Sequence, residues 1–225
     1  MSDYRFDDID RRLIRMGARP LDVVLIGGTG TGKSTTLNAI FQTEAAKVGH
    51  SFAPETMNVK DYMLNDIFRL WDTPGLGDGL DDESHAKKIS SLLRRSYTLN
   101  GKGNYGLIDL VLVVVDGSIR DLGTVYSLFS DVLLPNIQSD RILTVINHCD
   151  MAMSGRHWNF SRNEPDNVLL DFLDSHAKSI RRRIRETTGV NIILPVYYSA
   201  EYSYNINRVL DLIIDNIPLE RRNLI

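Results

Sequence analysis

The sequence predicts an α/β protein built on a six-stranded, mostly parallel sheet with helices on both faces. Three observations predict it. Short apolar runs alternate with helical stretches, which implies right-handed crossovers and a parallel sheet. The runs are nearly continuous in apolar residues, as expected of strands covered on both sides. A glycine-rich turn, Gly27 to Gly32, lies between the first run and the helix after it. The chain has 225 residues, 43% hydrophobic and 24% charged, which excludes a disordered or collagen-like polymer.

The elements follow in order. Phe6, Ile9, Leu13 and Met16 are spaced as one face of a helix, which Gly17 and Pro20 end. Leu21 to Ile26 reads as a buried strand, and Lys33 to about Ala46 as a helix. Met57 to Leu64 and Ile67 to Trp71 read as an antiparallel hairpin turned by Asn65 and Asp66. Asp81 to about Asn100 is expected to be helical, and Gly101 to Gly106 a glycine-rich loop. Leu107 to Val115 is the clearest buried strand. Helix Leu122 to Leu134, strand Arg141 to Ile146, a long loop, helix Asn167 to Thr187, strand Ile192 to Tyr198 and helix Asn205 to Ile217 complete the reading. The expected organisation is an N-terminal helical extension (1–19), one α/β domain (20–218) and a C-terminal tail (219–225).

Gly27-Gly28-Thr29-Gly30-Thr31-Gly32-Lys33-Ser34 matches GxxxxGK[ST] and sits between a strand and a helix. Glycines let backbone N–H groups close around phosphate, and the helix N-terminus adds positive charge there. Lys33 can reach the β- and γ-phosphates, and the Ser34 hydroxyl can bind Mg²⁺. Thr35 follows in the same turn. Asp72-Thr73-Pro74-Gly75 ends a strand, where ligands sit in open α/β sheets. Asp72 can hold Mg²⁺ through water, and the Gly75 N–H can meet a γ-phosphate. Asn147-His148-Cys149-Asp150 ends another strand; the Asp150 carboxylate can accept from guanine N1–H and the N2 amine, a donor pair that adenine lacks. Ser199-Ala200-Glu201 ends the last strand, placed to touch a base. Thr56, directly before a strand, is the candidate to complete the Mg²⁺ shell when a γ-phosphate is present. The candidate catalytic groups are therefore Lys33, Thr56 and Gly75, and the candidate metal ligands Ser34, Thr56 and Asp72. The five histidines show no paired spacing for zinc.

With these segments in this order, the sequence resembles the translation-factor-related class of P-loop GTPases over roughly Leu21 to Ile217. The loop followed by Leu37-Asn38-Ala39-Ile40-Phe41, and Asp72 to Gly79 before an acidic helix start, look like the Era/TrmE/septin-like group. Within it, they look most like bacterial GTPases of the YfjP/YeeP type, with an echo of the GIMAP-like GTPases. The resemblance implies a P-loop G domain that binds GTP and GDP with Mg²⁺ and hydrolyses GTP slowly, as a switch. Leu76 stands where Ras-like members carry a water-orienting glutamine, and Gly30 where K⁺-dependent members carry asparagine, so a nucleotide-dependent homodimer is the expected way to complete the site. His148 replaces the family's lysine, and its ring can stack on the base. A GTP-dependent assembly module with negligible hydrolysis and an ATP-using kinase are the alternatives; Asn147 and Asp150 oppose the second.

Other features bound partners and setting. The net charge is −3, which argues against sequence-independent nucleic-acid binding, so no DNA binding is expected. The loop Met151 to Pro165 is either a partner-binding lid or a connection with a tucked aromatic. Arg181, Arg182, Arg183 and Arg185 form either a solvated helix face or a contact to RNA or an acidic membrane. The effector is not specified by the sequence. A single cysteine, Cys149, cannot form an internal disulfide. The N-terminus lacks a signal-peptide pattern, and the purest apolar run, Leu110 to Val115, is too short to span a bilayer. The expectation is a cytoplasmic protein with no transmembrane segment.

Overall fold

A computed structural model describes residues 5–17, 20–44, 59–77, 82–99, 101–118 and 122–225. Its central sheet grows from three apolar strands: β1 (Leu21–Gly27), β3 (Phe68–Asp72) and β6 (Leu110–Asp116). Together with β2 (Lys60–Asn65), β7 (Ile142–Asn147) and β10 (Val196–Tyr197) they stand in the order β10-β7-β6-β1-β3-β2. Every neighbouring pair is parallel except β2 with β3, the expected hairpin.

Because side chains alternate across a strand, each apolar run feeds two cores. Leu21, Val23 and Leu25 face one side, with α1 (Phe6–Met16), α2 (Lys33–Glu44) and α6 (Ile206–Asp215). Val24 and Ile26 face the other, with α3 (Asp82–Leu93), α4 (Gly123–Ser127) and α5 (Asn167–Thr188). Helix α1 buries the predicted Ile9, Leu13 and Met16, and Gly17 closes it in the left-handed conformation at φ 70°. Arg5 ties it to α6 through Asp211 at 2.8 Å and Asp215 at 2.7 Å. One residue before Asp72, Trp71 Nε1 donates to the buried Asp22 at 2.7 Å.

Three elements differ from expectation. The helix from Asp82 stops at Leu93, and the stretch read as its end and a loop is a hairpin, β4 (Ser96–Leu99) with β5 (Lys102–Gly106). Gly101 turns it at φ 70°, a conformation glycine takes without penalty. The helix after Gly123 becomes a π-helical turn at Leu128–Leu133. The last strand is only Val196–Tyr197, because Ile192 is drawn under α5 while Ile193 and Leu194 turn outward. The long loop is folded: a short hairpin of β8 (Trp158–Asn159) and β9 (Glu164–Pro165) buries Trp158 against Tyr202 and Tyr204.

At the C-terminal end, Arg222 is fully buried and donates to the carbonyls of Leu93, Ile108 and Asn136. Among the described residues, no helix is long and apolar enough to cross a membrane.

Candidate functional site

The C-terminal ends of the parallel strands β1, β3, β6, β7 and β10 converge on one edge of the sheet, and the predicted residues lie there. The turn after β1 is bent by Gly30 and Gly32, at φ 77° and 84°. Gly27 and Gly75 are needed for space: a Cβ on Gly27 would lie 2.4 Å from the Val114 carbonyl oxygen, and one on Gly75 2.6 Å from the Thr29 Cα. A Cβ on Gly32 would collide with the Asn147 side chain. Lys33 opens α2 and is buried, its Nζ donating to the carbonyls of Gly28 at 2.9 Å and Gly27 at 3.2 Å. The Thr31 hydroxyl donates to the Gly28 carbonyl at 3.0 Å. Thr29, Gly30, Ser34 and Thr35 are exposed.

Ser34 and Asp72, 38 residues apart, meet: the Ser34 hydroxyl donates to Asp72 Oδ2 at 2.9 Å. Asp72 Oδ1 is buried with no hydrogen-bond partner among the described residues. A hydroxyl beside an unsatisfied carboxylate oxygen is a donor set that fits Mg²⁺, which prefers one or two protein oxygens and keeps several waters. A cavity of about 540 Å³ adjoins them, lined by Thr29, Lys33, Ser34, Asp72 and Gly75. Lys60 of β2, paired in register with Asp72, also lines it. Thr56 lies outside the described residues.

Gly75 and Leu76 are clamped to the glycine-rich turn. The Thr29 N–H donates to the Leu76 carbonyl at 2.6 Å, and the Leu76 N–H to Gly27 at 3.2 Å. The Leu76 side chain is buried in the core on the side of Val24 and Ile26. It acts as an apolar pin and is not among the described residues that line the cavity. His85 Nδ1 contacts the Gly75 carbonyl at 2.7 Å.

At the other end, Asn147 bridges two segments. Its Nδ2 donates to the Thr31 carbonyl at 2.9 Å, and its Oδ1 accepts from the Ala200 N–H at 3.0 Å. One side chain therefore fixes the glycine-rich turn against Ser199–Glu201. Ser199 is buried, its Oγ accepting from the Tyr202 N–H at 3.3 Å; Glu201 is exposed. Asp150 is buried, and its Oδ1 has no hydrogen-bond partner among the described residues. His148 takes a left-handed backbone at φ 58°, and its Nδ1 stands 3.2 Å from Asp116 Oδ2. Asp116 Oδ1 accepts from the Ser118 N–H and hydroxyl. The hydrogen bond to Asp116 raises the His148 imidazole above its ordinary 6.5. Burial works to raise the Asp116 carboxyl, but His148 and Ser118 outweigh it and hold it below the usual carboxylate range. Burial pushes the Cys149 thiol up, so it is neutral and chemically quiet.

Sequence reasoning overlooked Asp116, Lys60 and the buried contact of the Thr36 hydroxyl with Tyr198 OH at 2.6 Å. Asp116 ends a parallel strand as Asp72 and Asn147 do, which was the available signal. The other two depend on register and packing, for which the sequence carries no local mark.

Comparisons with known proteins agree with this geometry. The profile of a family described as 50S ribosome-binding GTPase matches residues 22–151. The tRNA modification GTPase MnmE of Chlorobium chlorochromatii is 32% identical over 145 residues, 62% of this chain and 27% of that protein. Translocase of chloroplast 132 of Arabidopsis thaliana is 27% identical over 184 residues, 77% of this chain and 14% of that protein. The chain thus spans about a quarter, or less, of the length of these two relatives. Among solved structures, Toc33 of Arabidopsis thaliana in complex with GDP and Mg²⁺ superposes with a TM-score of 0.60 at 16% identity, over 96% of this chain and 94% of that one. The G domain of the T. maritima FeoB iron transporter gives 0.51 at 18% identity, over 89% and 100%. These likenesses establish a G-domain fold, and with a family profile matching more than half its length, the chain belongs to the 50S ribosome-binding GTPase family.

Proposed function

We propose that the chain binds GTP and GDP with Mg²⁺ and hydrolyses GTP to GDP and phosphate, as a slow nucleotide-dependent switch. One observation carries the reading. Asp150 holds a buried carboxylate oxygen with no partner among the described residues, next to the Asn147 bridge that ties the phosphate turn to Ser199–Glu201. A buried orphan acceptor costs about 1–3 kcal/mol, and guanine's N1–H and N2 amine are the donors that repay it. Adenine turns a lone pair to the same oxygen.

On the phosphate side, the N–H groups from Gly28 to Thr35 line the bend, and Lys33 exchanges its two carbonyl contacts for phosphate oxygens. Ser34 and Asp72, with Thr56, are the residues that would hold the metal, which when bound neutralises charge on the β- and γ-phosphates. The Gly75 N–H is the candidate contact to the γ-phosphate. Catalysis on this reading is positioning and charge stabilisation by Lys33, Thr56 and Gly75. The likeness in Leu37–Phe41 and Asp72–Gly79 supports a place beside YfjP/YeeP-type GTPases. Residues 20–218 form the G domain, flanked by the 1–19 extension and the 219–225 tail, and the lone Cys149 supports a cytoplasmic setting. Titration with a fluorescent GDP analogue tests the reading. GTP should displace it and ATP should not; equal displacement by ATP would overturn guanine recognition.

A second reading is favoured by the inward-facing Leu76, which leaves the site without a water-orienting side chain at that position. On it, the chain assembles on GTP, and a second copy completes the site. Phosphate release per molecule should then rise with protein concentration; a flat response over a hundredfold range rules out activation by dimerisation.

A further inference from the structure

The second half of α5 concentrates positive charge. Lys178, Arg181, Arg182 and Arg185 are exposed and lie within about 100° of the helix circumference, at 3.6 residues per turn. Ala177, Ile180 and Ile184 occupy its buried side. Among the described residues, only Arg182 of the four forms an ion pair, with Glu186 at 3.9 Å. The chain as a whole carries a net charge of −3, so the stripe is a local excess against an acidic background.

A second observation adjoins it. The Arg181 guanidinium donates twice to Asn191 Oδ1, at 3.2 and 3.3 Å, which holds the segment after α5 against the stripe. Ile192 of that segment is buried, but Ile193 and Leu194 are 44% and 42% exposed. Two large aliphatic side chains therefore stand in water in the segment that Arg181 of the stripe holds.

We propose that this face is a docking surface for an anionic lipid bilayer. Cations beside projecting aliphatic residues match both layers of such a surface: phosphate and carboxylate headgroups outside, the acyl boundary just beneath. A nucleic acid satisfies only half of the pattern. Its phosphates suit the cations, but isoleucine and leucine offer no flat face for stacking bases, and residues 189–195 contain no aromatic side chain. The patch lies where the chain enters β10, the end of that strand opposite to Ser199–Glu201. A docked chain therefore keeps the nucleotide site open, and the proposal does not rest on the nucleotide reading.

Co-sedimentation of the full chain with vesicles tests it. Binding is expected to phosphatidylcholine vesicles containing a quarter phosphatidylserine and not to phosphatidylcholine alone, and it should weaken as salt is raised. The pair Arg182→Gln/Arg185→Gln should lower partitioning about 25-fold, at about fivefold for each charge removed. The pair Ile193→Ser/Leu194→Ser keeps the charge and should also lower it. Equal partitioning into both vesicle types, or none, overturns the proposal, as does arginine-variant binding equal to wild type. RNA-oligonucleotide binding that depends on the arginines, ignores the serine pair and occurs without vesicle binding assigns the stripe to nucleic acid and overturns it too.

Discussion

The two ends of the candidate nucleotide site are built differently. At the base end, Asn147 is satisfied at both polar atoms, Ser199 and Ala200 are pinned, and Asp150 Oδ1 is an acceptor left without a partner among the described residues. At the phosphate end, Asp72 Oδ1 apart, the polar groups are partnered with one another: Lys33 with the carbonyls of Gly27 and Gly28, Ser34 with Asp72 Oδ2, and the Thr29 N–H with Leu76. A ligand adds contacts at the first end and, beyond the open oxygen of Asp72, must exchange them at the second. Rigid acceptors suit discrimination between bases. Exchangeable contacts suit a segment with two arrangements, the physical requirement for a switch.

The most severe way to break this contrast is Lys33→Ala. It removes the buried cation, and nucleotide affinity should fall more than 100-fold, since hydrogen bonds to charged groups contribute about 1.5–3 kcal/mol each. Titration calorimetry on a variant with unchanged circular dichroism checks it; unchanged affinity would reject the phosphate-turn assignment. Next is Asp150→Asn. An amide NH₂ would face the guanine amine, and GTP affinity should fall at least about tenfold, or about 1.4 kcal/mol, while xanthosine triphosphate gains affinity. Retained preference for GTP would separate Asp150 from base recognition.

Leu76→Gln sharpens the contrast from the phosphate side. The side chain is buried, so the glutamine amide enters an apolar core at a cost of about 1–3 kcal/mol. The melting temperature should drop by several degrees, at about 2–4 °C for each kcal/mol in a chain of this size, and turnover should not rise. Faster turnover at an unchanged melting temperature would place this side chain in the site after all.

The smallest expected effect concerns Asp116 and His148. The His148 pKa is raised in the folded chain, so the pair's contribution to stability is fully present below 6.5 and is lost as pH rises through the raised value. Asp116 is depressed, so its contribution is present above its ordinary 3.8 and is lost as pH falls through the lowered value. Between those limits the couple is intact. Asp116→Asn should lower stability most near pH 5–6 and least above pH 8. Urea midpoints at the two pH values measure this, and an equal loss at both would exclude the ion pair.

Much of this site is legible in the sequence because its parts are local. The turn at 27–34 is dictated by closely spaced glycines, and Asp72, Asn147 and Ser199 each follow an apolar run that ends in the sheet. What was not legible depends on contacts between distant segments. Tyr97 and Leu99 continue a helical reading past Leu93, yet their backbone pairs with β5. Ile192 to Leu194 looks like the start of the last strand, yet Ile192 is claimed by the underside of α5. Arg222 falls in the expected 219–225 tail, yet it donates to three carbonyls from three other segments and is buried. Leu76 reads as a missing glutamine, whereas its packing makes it the anchor of the segment after Asp72.

The chain's two tryptophans stand at opposite ends of the contrast. Trp71 is the residue before Asp72, its indole N–H fixed to Asp22 and the Arg69 guanidinium 5.0 Å above its ring. Trp158 lies against Tyr202 and Tyr204, in the segment that follows Ser199–Glu201. Each indole is buried in a polarisable setting of its own, so its emission maximum and lifetime answer to different neighbours. With Trp71→Phe and Trp158→Phe as single-emitter versions, the protein carries an optical channel for each end. Mixing with nucleotide in a stopped-flow fluorimeter would then time base capture and phosphate rearrangement separately, without an attached dye.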